Sequence, residues 1–154
     1  MDAKQFKHLI VRPVLDHLGI GGLAAVNLIT GTAIIESGLD YVRQLPDGPA
    51  LGLFQMEPNT HTDIWVNYLR YKPQLAARVR ELMCLALPDE QNLIVNNAYA
   101  AAMCRVHYLR VQERMPGHDN PVALARYHKQ WYNTPLGKTN VEKSIPLFRL
   151  AVGL

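Results

Sequence analysis

Leu23-Ala24-Ala25-Val26-Asn27-Leu28-Ile29-Thr30-Gly31-Thr32-Ala33-Ile34-Ile35-Glu36-Ser37-Gly38 is the stretch on which the fold turns. At a period of 3.6 residues it is apolar on most faces, so it reads as a helix buried nearly all round, the centre of a helical domain. Gly38 suits a left-handed cap at its C-terminal end. The apolar run that contains it, from Gly19 to Ile35, is broken by Asn27, Thr30 and Thr32 and carries four glycines. It is too short and too polar for a membrane span.

Upstream, Phe6, Leu9, Ile10, Val14, Leu15 and Leu18 recur at helical spacing and predict a helix over residues 3–18, ended by Gly19 and kinked or broken at Pro13. Downstream the pattern changes. Pro46, Asp47, Gly48, Pro49, Gly52 and Pro58 mark turns over 39–58, with Ala50 to Met56 as a short extended tongue. Helices then resume. Asn59 or Thr60 caps one through Arg70, and Pro73 starts another to about Leu85. Asp89 caps a long one to about Glu113, with Leu93, Val95, Ala98, Ala102, Val106 and Leu109 facing inward. Asn120-Pro121 opens one to about Tyr132, and Thr139-Asn140-Val141-Glu142 has capping-box spacing for the last. The prediction is an all-α domain, single over 1–154, with one irregular or β tongue.

The bulk numbers agree. At 154 residues, 49% hydrophobic and 19% charged, the chain is of ordinary globular composition and long enough to bury a core without metal or disulfide support. Cys84 and Cys104 both sit among apolar residues and read as buried free thiols, with one disulfide as the alternative. A net charge of +3 favours an anionic partner without choosing one. No signal peptide is read at the N-terminus, which predicts synthesis in a bacterial cytoplasm and outside help to reach the periplasm or cell wall.

Chemistry concentrates at Glu36. The C-terminal end of a helix carries partial negative charge, and Ile34 and Ile35 precede the glutamate. Both features disfavour a charged carboxylate, the condition a proton donor needs near neutral pH. A solvated glutamate at a helix end is the plain alternative.

The neighbouring residues carry a resemblance. Glu36-Ser37-Gly38-Leu39 is followed by Gly48-Pro49-Ala50-Leu51-Gly52-Leu53-Phe54-Gln55-Met56-Glu57-Pro58-Asn59-Thr60. This resembles the signature of the soluble lytic transglycosylases and goose-type lysozymes: Glu-Ser at a helix end, a Gly-Leu-Met-Gln-like tongue, then Pro-x-Thr opening a helix. Phe54 stands where that family usually has Met, and Gly48-Pro49-Ala50-Leu51 replaces its Ser-x-x-Gly-Ala. Ala123-Leu124-Ala125-Arg126-Tyr127-His128 is similar to the family's Ala-Leu-Ala-x-Tyr-Asn, with His128 in place of the Asn.

The resemblance implies a lysozyme-like fold and cleavage of the bond between N-acetylmuramic acid and N-acetylglucosamine in peptidoglycan glycan strands. It implies Glu36 as acid and then base, closing a 1,6-anhydro ring, with no cofactor or metal. It further implies substrate-binding roles for Gln55 on the tongue, for Ser37 on Glu36 or sugar, and for Tyr127 positioning the acid or an N-acetyl group. Phe54 and Met56 would line the cleft, with packing beneath it in the core as the alternative for these two. A hydrolysing muramidase of the same fold would use a second carboxylate about 5–5.5 Å or about 6.5–9.5 Å away; Asp40, Asp47 and Glu57 are the near candidates. The compact chain suits a phage lysin or a lytic virion component, with other virion or lysis proteins as partners.

Other signals are weaker. Trp131 and Tyr132 can stack on sugar or anchor a helix. His61-Thr62-Asp63 lacks a second cluster at ligand spacing, and His107, His118 and His128 are scattered. Nothing reads as a phosphate loop, nucleophile elbow or recognition helix, so nucleic acid is not an expected partner. The rival to an enzyme is a non-catalytic phage structural or wall-binding protein of the same fold.

Overall fold

The structure, a computed structural model, describes residues 1–133 and 139–154. Its first helix, α1, runs as three contiguous segments, Ala3–Gln5, a π-helical Phe6–Val11 and Arg12–Leu18. Pro13 explains the wide middle. Its ring crowds the carbonyl four residues back and it offers no N–H. The turn opens instead, and the Arg12 N–H reaches Lys7 O, five residues back. The expected kink thus takes the form of a π segment. Gly19, at φ 72°, ends α1 in the left-handed region.

Helix α2 spans Leu23–Ser37, and every residue from Ala25 to Ile34 is buried. Gly38 closes it at φ 63°, with its N–H on Ile34 O. The tongue follows. Leu51 pairs antiparallel with both Arg43 and Met56, and Leu51 and Met56 exchange both backbone hydrogen bonds, at 2.9 and 3.0 Å. Among the described residues these bridges are isolated and build no sheet.

Helix α3 spans Pro58–Asn67 and is extended by a 3-10 turn at Leu69–Tyr71; α4 spans Pro73–Arg80. The predicted long helix from Asp89 is divided. A 3-10 turn at Asp89–Gln91 leads into α5, Asn92–Val95, and α6 begins afresh at Asn97–Leu109. Asn96 makes the break. Its backbone is extended (φ −128°, ψ 93°) and its side chain accepts the Tyr99 N–H as an N-cap. Its amide donates to Leu82 O at 2.5 Å. Apolar periodicity runs through this point unaltered, so only the cap chemistry reveals it. Helix α7 spans Pro121–Trp131 and α8 spans Val141–Gly153. At α8 the cap is Asn140, which accepts from Glu142 and Lys143, so the start lies one residue later than a cap at Thr139 would put it.

The fold is all-α. Helix α6 is its hub, with Tyr99 to Val106 buried and α1 to α5 packed around it. Three consecutive alanines, Ala100 to Ala102, allow that close approach. On the other side α8 lies across α2 and α7. Gly31 makes room for it: a Cβ there would stand 2.2 Å from the Phe148 ring. Cys104 is buried and Cys84 is exposed, and both are free thiols. The exposure of Cys84 corrects the expectation that both lie inside; it falls after α4, where the chain leaves the core. No helix among the described residues is long and apolar enough to cross a membrane.

Candidate active site

A cleft of about 660 Å³ opens where the end of α2, the tongue, the start of α3 and the residues after α7 meet. Glu36, Tyr41, Gln55, Glu57, Tyr132 and Asn133 are on its walls, with Met56, Thr60 and His107. Its volume lies within the ordinary range of ligand sites.

Glu36 stands on the inner wall, its side chain 13% exposed. His128 Nε2 lies 2.9 Å from its Oε1. The Asn133 amide donates to the same oxygen at 3.4 Å. Both partners come from the end of α7, which α8 presses toward α2. Asn133 is tied in turn, accepting from Lys129 Nζ at 3.1 Å and from the Thr139 N–H at 3.3 Å. His128 is fully buried. Its ring lies against Tyr132 (5.8 Å, 21°) and Phe148 (5.9 Å), and its Nδ1 has no hydrogen-bond partner among the described residues.

Tyr132 continues a column of rings. It stacks on Tyr108 at 5.4 Å, which stacks on Tyr127 at 5.8 Å. The Tyr132 hydroxyl donates to Phe54 O at 2.8 Å, fastening the tongue to the end of α7. Burial, with the nearby Cys104 thiol and Glu36 carboxyl, pushes the Tyr132 hydroxyl well above the usual phenol range. It therefore stays a donor at any physiological pH.

His107 forms another part of the wall. Its Nε2 is 3.0 Å from Trp131 O, and its Nδ1 is 2.9 Å from an Arg110 nitrogen, which can only donate. The ring is therefore neutral, with its proton on Nε2. Burial pushes its pKa down to about 4. Arg110 also pairs with Asp63. Hydrogen bonds from Asn67 and Arg110 hold that carboxyl below its usual range.

The predicted site residues divide. Glu36, Gln55 and Met56 come together on the cleft. Gln55 sits at φ 47° in the four-residue loop between Leu51 and Met56. Its amide donates to Gly52 O at 2.8 Å, which sets the side chain's direction. Ser37 does not reach the cleft. Its hydroxyl is buried and bonds Leu53 O at 2.7 Å, so it joins the end of α2 to the tongue. Phe54 packs into the core beside Phe6, at 6.0 Å between ring centres. Tyr127 also misses the cleft. It is buried, and its hydroxyl donates to Glu113 O at 3.1 Å. Neighbours on a helix point about 100° apart, and His128 takes the inward direction that Tyr127 was expected to occupy.

Of the near carboxylates, Glu57 lines the cleft, whereas Asp40 and Asp47 do not. His61 turns inward to the Tyr99 hydroxyl at 2.7 Å. Two residues at Glu36, His128 and Asn133, were not singled out from sequence as site residues. The signal for the first was its departure from the family's Asn; for the second there was none. No protein-family model, no curated protein and no solved structure matches the chain.

Proposed function

We propose that the protein cleaves the β-1,4 bond between N-acetylmuramic acid and N-acetylglucosamine in bacterial peptidoglycan, with Glu36 as the acid and then the base. The observation that carries the reading is the placement of Glu36. It is a glutamate at the end of a buried helix, held on one oxygen by two side chains and facing a cleft of about 660 Å³. The likeness of the Glu36–Thr60 segment to the lytic transglycosylases supports it, with Gln55 and Met56 on the cleft beside the glutamate.

In this reading Glu36 gives its proton to the glycosidic oxygen as the bond breaks. It then takes the proton of the muramoyl C6 hydroxyl, and that oxygen closes on C1 to leave a 1,6-anhydro end. No water is consumed and no second carboxylate is required. Tyr41 on the same wall donates to the backbone oxygen of Glu36 at 2.8 Å, holding the last turn of α2 in place. A phage lysin or a lytic virion component is the source that suits such a chain.

One observation favours a second outcome. Glu57 is exposed on the same cleft, and a carboxylate there is what a muramidase would use to stabilise the oxocarbenium ion or to activate water. Mass spectrometry of the released muropeptides separates the two, since anhydro ends are lighter than reducing ends by one water. Glu36→Gln is expected to remove muropeptide release from purified sacculi while the far-UV spectrum and melting temperature hold. Release that persists in that variant would overturn the proposal.

A further inference from the structure

We infer that His128 is a positioning residue that reserves one oxygen of Glu36 as a hydrogen-bond acceptor, leaving Oε2 as the oxygen that exchanges the proton with substrate. The inference rests on the reading of Glu36 as the acid. Full burial of His128 excludes direct contact with a substrate, so its effect must pass through the carboxyl it touches.

Three protonation arrangements fit a nitrogen-to-oxygen distance of 2.9 Å. A protonated Glu36 can donate to Nε2, an imidazolium can face a carboxylate, or a neutral ring can donate its Nε2–H to Oε1. The first two place a hydrogen on Nδ1, and Nδ1 is buried with no partner among the described residues. A buried N–H left without an acceptor is rare in folded proteins, whereas a bare acceptor is tolerated more often. The third arrangement leaves only a ring lone pair unmet. The neutral Nε2–H form is therefore the one this pocket accepts.

Asn133 then decides the oxygen. Its amide donates to Oε1 as well, so both lone pairs of Oε1 are engaged. A proton on the carboxyl must sit on Oε2, to which no hydrogen bond runs from the described residues. When that proton leaves, charge develops on a carboxylate whose Oε1 already holds two fixed donors, with no reorganisation needed. His128 keeps its own proton throughout. A relay through the ring would need an exit at Nδ1, and that nitrogen is sealed. Tyr132 and Phe148 hold the ring, and Gly31 supplies the hollow for Phe148.

The test joins a spectroscopic readout to a kinetic one. Two-bond proton–nitrogen correlation of the imidazoles at neutral pH is expected to show His128 protonated on Nε2 and bare on Nδ1. In Glu36→Ala that preference relaxes, because the acceptor is gone. His128→Leu is expected to lower turnover of muropeptide release by about 10²-fold, with little change in KM. His128→Gln, which places an amide donor near the Nε2 position, recovers most of that loss. A ring found protonated on Nδ1 overturns the inference, as does a folded His128→Leu that turns over normally. Should the natural protein release no muropeptides, the enzymatic proposal fails by itself, and the imidazole spectrum still decides whether His128 donates to Glu36.

Discussion

His107 has both ring nitrogens engaged inside the protein, one on Trp131 O and one on Arg110. Burial holds its pKa at about 4, against 6.5 for a free imidazole. The unfolded chain therefore binds a proton that the folded chain refuses throughout that interval. Stability from this group is complete above the unfolded value and is lost as pH falls from about 6.5 toward 4. At about 1.4 kcal/mol per unit the loss is on the order of 3 kcal/mol. Urea unfolding across that range, compared with His107→Gln, checks it. The variant's profile should be flatter by about that amount, and an identical slope in both proteins would sink the assignment. His107 was visible in the sequence only as one of several scattered histidines. Its role depends on Trp131 O and Arg110, which no pattern of nearby residues announces.

At the scale of elements, the contact between α2 and α8 is set by Gly31. A methyl group at that position would meet Phe148 Cε1 at 2.2 Å, inside a fully buried contact. Alanine is the better helix former by about 1 kcal/mol. Overpacking a closed core costs about 1–3 kcal/mol, and a ring that must retreat by more than an ångström lies at the upper end of that range. Gly31→Ala is therefore predicted to lose about 2 kcal/mol net in chemical denaturation. Because Phe148 backs His128, the imidazole resonances of His128 should shift in the same variant. A neutral or stabilising effect would show that Phe148 has room to move. Cap chemistry was legible at this scale in Asn120, which opens α7, and in Gly38, which closes α2, as their residue types predict. It was misread at Asn96, where an asparagine inside an apolar period stops one helix and starts another.

At the scale of the whole molecule, segments far apart in the chain are tied together. Lys7, buried in α1, donates to Ala151 O of α8 at 2.7 Å. Burial, aided by nearby Arg12, lowers the pKa of its ammonium. The tongue is seated on α5 through Gly52, which sits at φ 72° and whose missing Cβ would lie 2.0 Å from Leu93 O. Alanine there incurs both left-handed strain, about 1–3 kcal/mol, and a collision with backbone that cannot rotate away. Gly52→Ala is predicted to destabilise the protein by about 2–4 kcal/mol and to unseat Gln55 and Met56, so that any glycan-cleaving activity falls with it. A urea midpoint equal to that of the natural protein would show that the tongue is not anchored at this point.

The amino-acid sequence by itself determined the helical class, the place of the tongue and the position of Glu36 at a helix end. Each of these follows from local periodicity, caps and turn residues acting within a few positions. Only the tertiary structure decided what meets Glu36. His128 lies 92 residues away, and whether it or Tyr127 faces the carboxyl is a matter of rotation about the axis of α7. That rotation is set by Tyr108 of α6 stacking on Tyr127 and Tyr132, and by Phe148 of α8 lying against His128, contacts between segments that come together only when the chain is folded.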